Sequence, residues 1–244
     1  MIPLRSIPGV TAWALRGLPR VRMTRPAGPP EVSASVEARW AELCAANPRY
    51  FDGPVLSVVT FDPEANEVLC RRDRYMRLAV QPQVATGVQQ LAVTAVLTAS
   101  DAIGRKHVLL GRRSPQTRIY GGMWELGPSG GVAPPPLNVD ELPEDALLSH
   151  LADEVSEEVG LEVKAGRGVA LVRDHVAHSD DVCIECDLGP LEALGASGPA
   201  NWEYTETVWL PVDTVAQFDE GNAGEIIAPT RAVFRVLGWV GEPS

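Results

Sequence analysis

Segments with strand character and segments with helix character interleave along these 244 residues without a regular β-α-β rhythm, and most links between them have hairpin length. That pattern points away from a doubly wound parallel sheet and toward an α+β fold in which a mixed β-sheet is sandwiched between helices. Residues 55–61 and 67–71 read as a hairpin closed by Asp62-Pro63-Glu64-Ala65-Asn66, where Pro and Asn supply the turn dihedrals. Residues 77–83 are expected to add a third strand. Residues 91–99 and 107–112 form a second pair, followed by strands over 169–174, 182–188 and 207–210. Helices are expected over 32–46, where Val36, Trp40 and Leu43 recur at helical spacing, over 143–159, near 212–218 and over 229–240. The texture changes near residue 88. Residues 1–88 therefore read as a Pro- and Arg-rich arm plus a small α+β extension, and 89–244 as the main domain.

Charge divides the chain at the same point. Residues 1–88 carry eleven Arg and eight Asp plus Glu, a balance of +3; residues 89–244 carry ten Lys plus Arg and twenty-four Asp plus Glu, a balance of −14, which together give the net −11. An acidic domain repels a nucleic-acid backbone, so no nucleic-acid partner is expected. The first thirty residues hold Arg5, Arg16, Arg20, Arg22 and Arg25, but prolines from Pro3 to Pro30 break any amphipathic helix. An extended arm on the domain surface is the expectation. With 45% apolar residues and no long apolar run, the chain reads as a soluble cytoplasmic protein that neither enters a membrane nor needs disulfides. Its cysteines, Cys44, Cys70, Cys183 and Cys186, are scattered, and Cys183 and Cys186 should face opposite sides of a strand. A homodimer is the default expectation.

The stretch that carries chemistry is Asp153-Glu154-Val155-Ser156-Glu157-Glu158-Val159-Gly160-Leu161. On a helix Glu154 and Glu158 lie one above the other with Glu157 beside them, while Leu147, Leu151 and Val155 fill an adjoining arc. Three carboxylates thus crowd the rim of a buried face, where like charge at i,i+4 and partial burial are both unfavourable. An isolated motif of this kind is most often a solvated acidic face. Hard divalent cations are the natural compensation where it is not, since Mg²⁺ takes carboxylate oxygens and bridges to phosphates.

The motif closes a helix that follows a strand and the Gly130-Gly131 turn, and in that setting it resembles the Nudix box, G-x5-E-x7-R-E-U-x-E-E-x-G-U. Glu154, Val155, Glu157, Glu158, Gly160 and Leu161 match it. Asp153 stands in the place of the box arginine, and the interval from Gly131 to Leu161 exceeds the standard box by an insertion that includes Pro134-Pro135-Pro136. The first box glutamate is consequently open among Glu141, Glu144 and Asp145. Trp40, Asn47-Pro48, Phe51-Asp52-Gly53-Pro54 and Leu109-Leu110-Gly111-Arg112-Arg113-Ser114 are similar to the divergent Nudix branch whose members hydrolyse UDP-glucose and UDP-galactose.

The resemblance implies a Nudix-like fold and a Mg²⁺-dependent (or Mn²⁺-dependent) pyrophosphatase. It would hydrolyse a nucleoside diphosphate linked to another moiety, with a UDP-sugar giving UMP and a sugar 1-phosphate. It also implies Glu154, Glu157 and Glu158 as catalytic, metal-binding carboxylates, with a main-chain oxygen at Gly131. Arg112 and Arg113 close an apolar strand, where guanidinium groups can either reach phosphate or pair with surface acids. The general base stays open among Glu157, Glu185 and Asp181, and Tyr120 and Trp124 either stack on a base or pack the core. The alternatives are a hydrolase of ADP-ribose or another nucleotide sugar, and a Nudix-fold nucleotide-binding or regulatory module without catalysis.

Overall fold

A computed structural model describes residues 7–25, 28–195 and 198–241; Pro3, Arg5 and Pro26 lie outside the described residues. The fold is α+β, with a large mixed sheet between helices. Its strands are β1 (Val10–Ala14), β2 (Arg20–Met23), β3 (Pro54–Asp62), β4 (Glu67–Arg74), β5 (Gln90–Ser100), β6 (Lys106–Arg113), β7 (Trp124–Leu126), β8 (Ser129–Gly131), β9 (Arg167–Asp174), β10 (Ser179–Pro190) and β11 (Tyr204–Pro211). The main path runs β1-β9-β10-β5-β3-β4-β2, while β6 joins β5 to β7 and β11, and β8 pairs with β5. The helices are α1 (Ala34–Ala46), α2 (Tyr75–Ala79), α3 (Ala146–Val159), α4 (Val215–Gly221) and α5 (Ala228–Val236).

Strand alternation sorts the apolar side chains to two faces. On one, Leu91, Val93 and Ala95 of β5 meet Leu147, Leu151 and Val155 of α3. On the other, Val96, Val169 and Val172 meet Ala232, Val233 and Phe234 of α5. Each such side chain contributes about 1.5–3 kcal/mol on full burial, so α3 is held to the sheet by its apolar stripe rather than by helix propensity. Cys183 falls in the second cluster and Cys186 in the first, as the period of two requires.

Two sequence expectations change. Residues 77–83 do not continue as a strand: Tyr75-Met76-Arg77-Leu78-Ala79 form α2, a run of mostly good helix formers, and the Asp52 carboxylate accepts the Met76 N–H at 2.9 Å. The N-terminal arm is extended but does not merely lie on the surface. β1 pairs antiparallel with β9 and β2 pairs parallel with β4. Pro8 and Pro19 flank these strands instead of interrupting them, which leaves the ladder N–H groups intact. The arm's cations face acids: Arg20 is 2.9 Å from Glu141, Arg22 is 3.3 Å from Glu67, and Arg25 pairs with Asp140. Among the described residues no helix is long and apolar enough to cross a membrane.

Candidate active site

Helix α3 ends where its sequence says it should, with Gly160 in the left-handed conformation at φ 69° and its N–H on the Ser156 carbonyl. The last two turns carry the acidic motif. Asp153 and Glu157 are exposed, Glu154 is half-buried and Glu158 is 3% exposed. Glu154 reaches across to β8, whose register on β5 places Gly130 opposite Val93. A β-carbon at Gly130 would stand 1.9 Å from the Glu154 Oε1 atom, so only glycine lets that carboxylate rest on the strand. The helix and the paired glycines of the motif therefore meet, as the sequence requires.

More acid surrounds this contact than the motif alone supplies. Burial pushes the Glu158 carboxyl up to about 9, and the charges of Glu203, Glu154 and Glu125 add to the effect. Burial likewise raises Glu154, aided by Glu203, Glu157 and Asp153, and raises Glu203, aided by Glu125. Glu125, 3% exposed on β7, accepts from Arg113 Nη1 at 2.6 Å and from the Tyr204 hydroxyl at 2.8 Å. The Tyr204 ring occupies the space over Gly111, where a β-carbon would lie 2.4 Å from Cε1. Among the described residues no three His, Cys, Asp or Glu side chains are gathered as a ready-made metal cage.

A cavity of about 160 Å³ adjoins the cluster, lined by Gly130, Glu125, Arg113, Arg118, Tyr120 and Asp181 among others. The two candidate arginines part here. Arg113 lines the cavity, whereas Arg112 donates to Glu225 at 3.0 Å and to the Gly122 carbonyl at 3.0 Å, and lies over the Trp124 ring. Trp124 packs edge-on against Phe218 in the core; Tyr120 faces the cavity and donates to Asp174 at 2.7 Å.

The three candidate bases also separate. Glu157 is exposed at the end of α3. Glu185 is partly buried, but Lys106 at 2.7 Å and Arg167 at 2.8 Å outweigh that burial and keep its carboxyl below the usual range. Asp181 stands in the cavity wall, pushed up to about 7 by desolvation, with Asp174, Asp180 and Glu125 adding to the shift and the Ser179 hydroxyl donating to it at 2.7 Å.

Of the candidates for the first box glutamate, Glu141 is held by Arg20 on the insertion. That insertion is fastened to β4, where Arg72 Nη2 donates to the Pro135 carbonyl at 2.9 Å. Glu125, Glu203, Tyr204 and Arg118 were not foreseen as site residues. For Glu125 the sequence shows only a charged residue between two large apolar ones, Trp124 and Leu126; that all three are buried is seen in the structure alone. Glu203 and Tyr204 arrive through the pairing of β11 with β6, which no local pattern announces.

No protein-family model and no curated protein matches the chain. Solved structures similar to it include a Nudix hydrolase from Alicyclobacillus acidocaldarius, at 17% identity over 64% of this chain and 93% of that one, with a TM-score of 0.47. Others are a Nudix hydrolase, RenU, from M. smegmatis (21% identity, 62% and 84% coverage, TM-score 0.39) and the Nudix domain of Shewanella oneidensis NrtR in complex with ADP ribose (21%, 64% and 93%, 0.39).

Proposed function

We propose that the chain is a Nudix-type hydrolase that works with Mg²⁺ or Mn²⁺ on the diphosphate bond of a nucleoside diphosphate joined to another moiety. UDP-sugars are the leading substrates, giving UMP and a sugar 1-phosphate. The supporting observation is the seat of Glu154 on Gly130, with Glu158 buried one turn further along α3. The donor chemistry suits a hard divalent cation: carboxylate oxygens in excess of the Arg113 charge beside them, and a Glu158 carboxyl whose ionisation is opposed by burial and by its acidic neighbours.

In this reading Glu154 and Glu158 are the principal ligands, Glu157 assists, and the Gly131 carbonyl adds an oxygen. Such a cation would supply charge neutralisation at the diphosphate and its departing oxygen. Arg113 and Arg118 donate to phosphate oxygens from the cavity wall. Asp181, poised near neutrality in the same wall, is suited to take a proton from an attacking water. A second reading, a module that binds nucleotide without turnover, draws on Asp153, whose charge adds to that on Glu154 where the box arginine would offset it.

The test is a panel of UDP-glucose, UDP-galactose, ADP-ribose and related compounds, run with Mg²⁺ or Mn²⁺ in ¹⁸O-labelled water. The expected result is label in one phosphate product and a loss of at least about 100-fold in Glu158→Gln. Hydrolysis unchanged in that variant would refute the assigned ligand; binding without turnover across the panel would favour the module.

A further inference from the structure

A second pocket, of about 440 Å³, opens between the N-terminal region and the rest of the sheet. It shares Gln90, Arg118 and Gly131 with the wall of the acid-lined cavity or its rim, so the two are contiguous. Its character is different. Tyr50, Phe51, Tyr75 and Trp202 line it, and the side-chain amides of Gln90 and Gln116 lie among them. Tyr50 and Tyr75 are fixed by each other and by Trp40, with ring centroids 5.7–6.3 Å apart. Phe51 and Trp202 are 78% and 48% exposed, and Arg49 lies 4.9 Å above the Trp202 ring while donating to Gln116 at 2.9 Å.

Phe51, and the part of Trp202 that Arg49 leaves exposed, carry apolar surface at a concave site that a flat ring covers well. Amide groups beside them offer both donors and acceptors, the complement of a base edge. Arg118, at the junction, is placed for a phosphate between the two compartments. A pocket of this size belongs to the range that holds small molecules.

We infer that this aromatic pocket is the nucleobase subsite, and that the N-terminal region therefore supplies half of the substrate site through Tyr50, Phe51 and Tyr75. The inference rests on the hydrolase reading for its choice of ligand, a nucleoside diphosphate derivative whose diphosphate lies at the Gly131 junction. Recognition is by stacking on Phe51 and Trp202, with the Gln90 and Gln116 amides selecting the base edge.

Calorimetry on the full chain tests it with UMP, AMP and, as a ligand lacking a base, ribose 5-phosphate. Phe51 and Trp202 are both exposed, so Phe51→Ala and Trp202→Ala leave the fold intact, which circular dichroism checks. Each should weaken the better-binding nucleotide about tenfold and leave ribose 5-phosphate unchanged. Failure of both nucleotides to bind, equal binding in both variants, or an equal loss for ribose 5-phosphate would overturn the subsite. The two readings fail separately. Hydrolysis with unaltered KM in both variants removes the subsite and leaves the enzyme. The calorimetric split without hydrolysis of any substrate removes the enzyme and leaves the subsite.

Discussion

Asp181 and Gly130 show how single residues set the character of the cavity. Asp181 is half-buried and its carboxyl is raised to about 7, first by desolvation. Below the unfolded value near 4 both states hold the proton, so the burial costs nothing. Between there and pH 7 the unfolded chain gives up its proton more readily, and stability falls as pH rises, becoming level above pH 7. Asp181→Asn removes that dependence while still accepting from Ser179. Its stability advantage should therefore grow from pH 4 to 7, to on the order of 1–2 kcal/mol once screening by cavity water is allowed for, and then stay constant. Urea unfolding of both proteins at pH 4, 5.5, 7 and 8.5 measures it, and a gap that does not change with pH would refute the role of this carboxyl. Gly130→Ala probes the neighbouring contact. The new methyl displaces the Glu154 carboxylate without reaching the core, so stability should drop by only about 1 kcal/mol while Mg²⁺-dependent turnover falls at least about tenfold.

At the scale of elements, the insertion between β8 and α3 decides whether the acidic helix is placed reproducibly. Its prolines are anchored by Arg72, 6% exposed, and its far end is stitched to β2 by the Met23 N–H on Asp140 and the Leu142 N–H on Val21. Arg72→Met keeps much of the side-chain volume but leaves the Pro135 carbonyl without its donor. The expected outcome is a loss of about 1–3 kcal/mol and faster proteolysis between residues 132 and 145, read by mass spectrometry of the early fragments. Cleavage at the native rate would show that the loop is held by its backbone contacts alone.

These elements also mark what the sequence could reveal. Helix α3 was legible because its apolar stripe, its carboxylates and Gly160 follow one helical period, and β5, β6, β9 and β10 were legible as apolar runs. β1 and β2 were hidden because their partners, β9 and β4, lie far along the chain. Among site residues, Glu154 and Glu158 were readable from spacing. Glu125, Glu203 and Tyr204 were not, because strand pairing rather than spacing brings them to the helix end.

At the scale of the whole molecule, the charge balance and the site make one prediction together. The −14 balance of residues 89–244 generates self-repulsion that any salt will reduce, whereas a specific cation site responds to a divalent ion far below screening concentrations. A cation that binds the folded chain alone stabilises it by mass action, about 2.7 kcal/mol at a hundredfold excess over Kd, which in a chain of this length raises Tm by roughly 5–10 °C. Millimolar Mg²⁺ should produce that rise in the native protein, and NaCl at matched ionic strength should not. Glu154→Gln and Glu158→Gln should each start from a higher Tm without Mg²⁺, because each removes a carboxyl whose ionisation the folded state opposes, and then gain little on adding it. Differential scanning calorimetry of the three proteins separates the cases. An equal response to Mg²⁺ and NaCl would mean that the ion acts on the surface field alone, and an undiminished Mg²⁺ response in both variants would place its site elsewhere on the molecule.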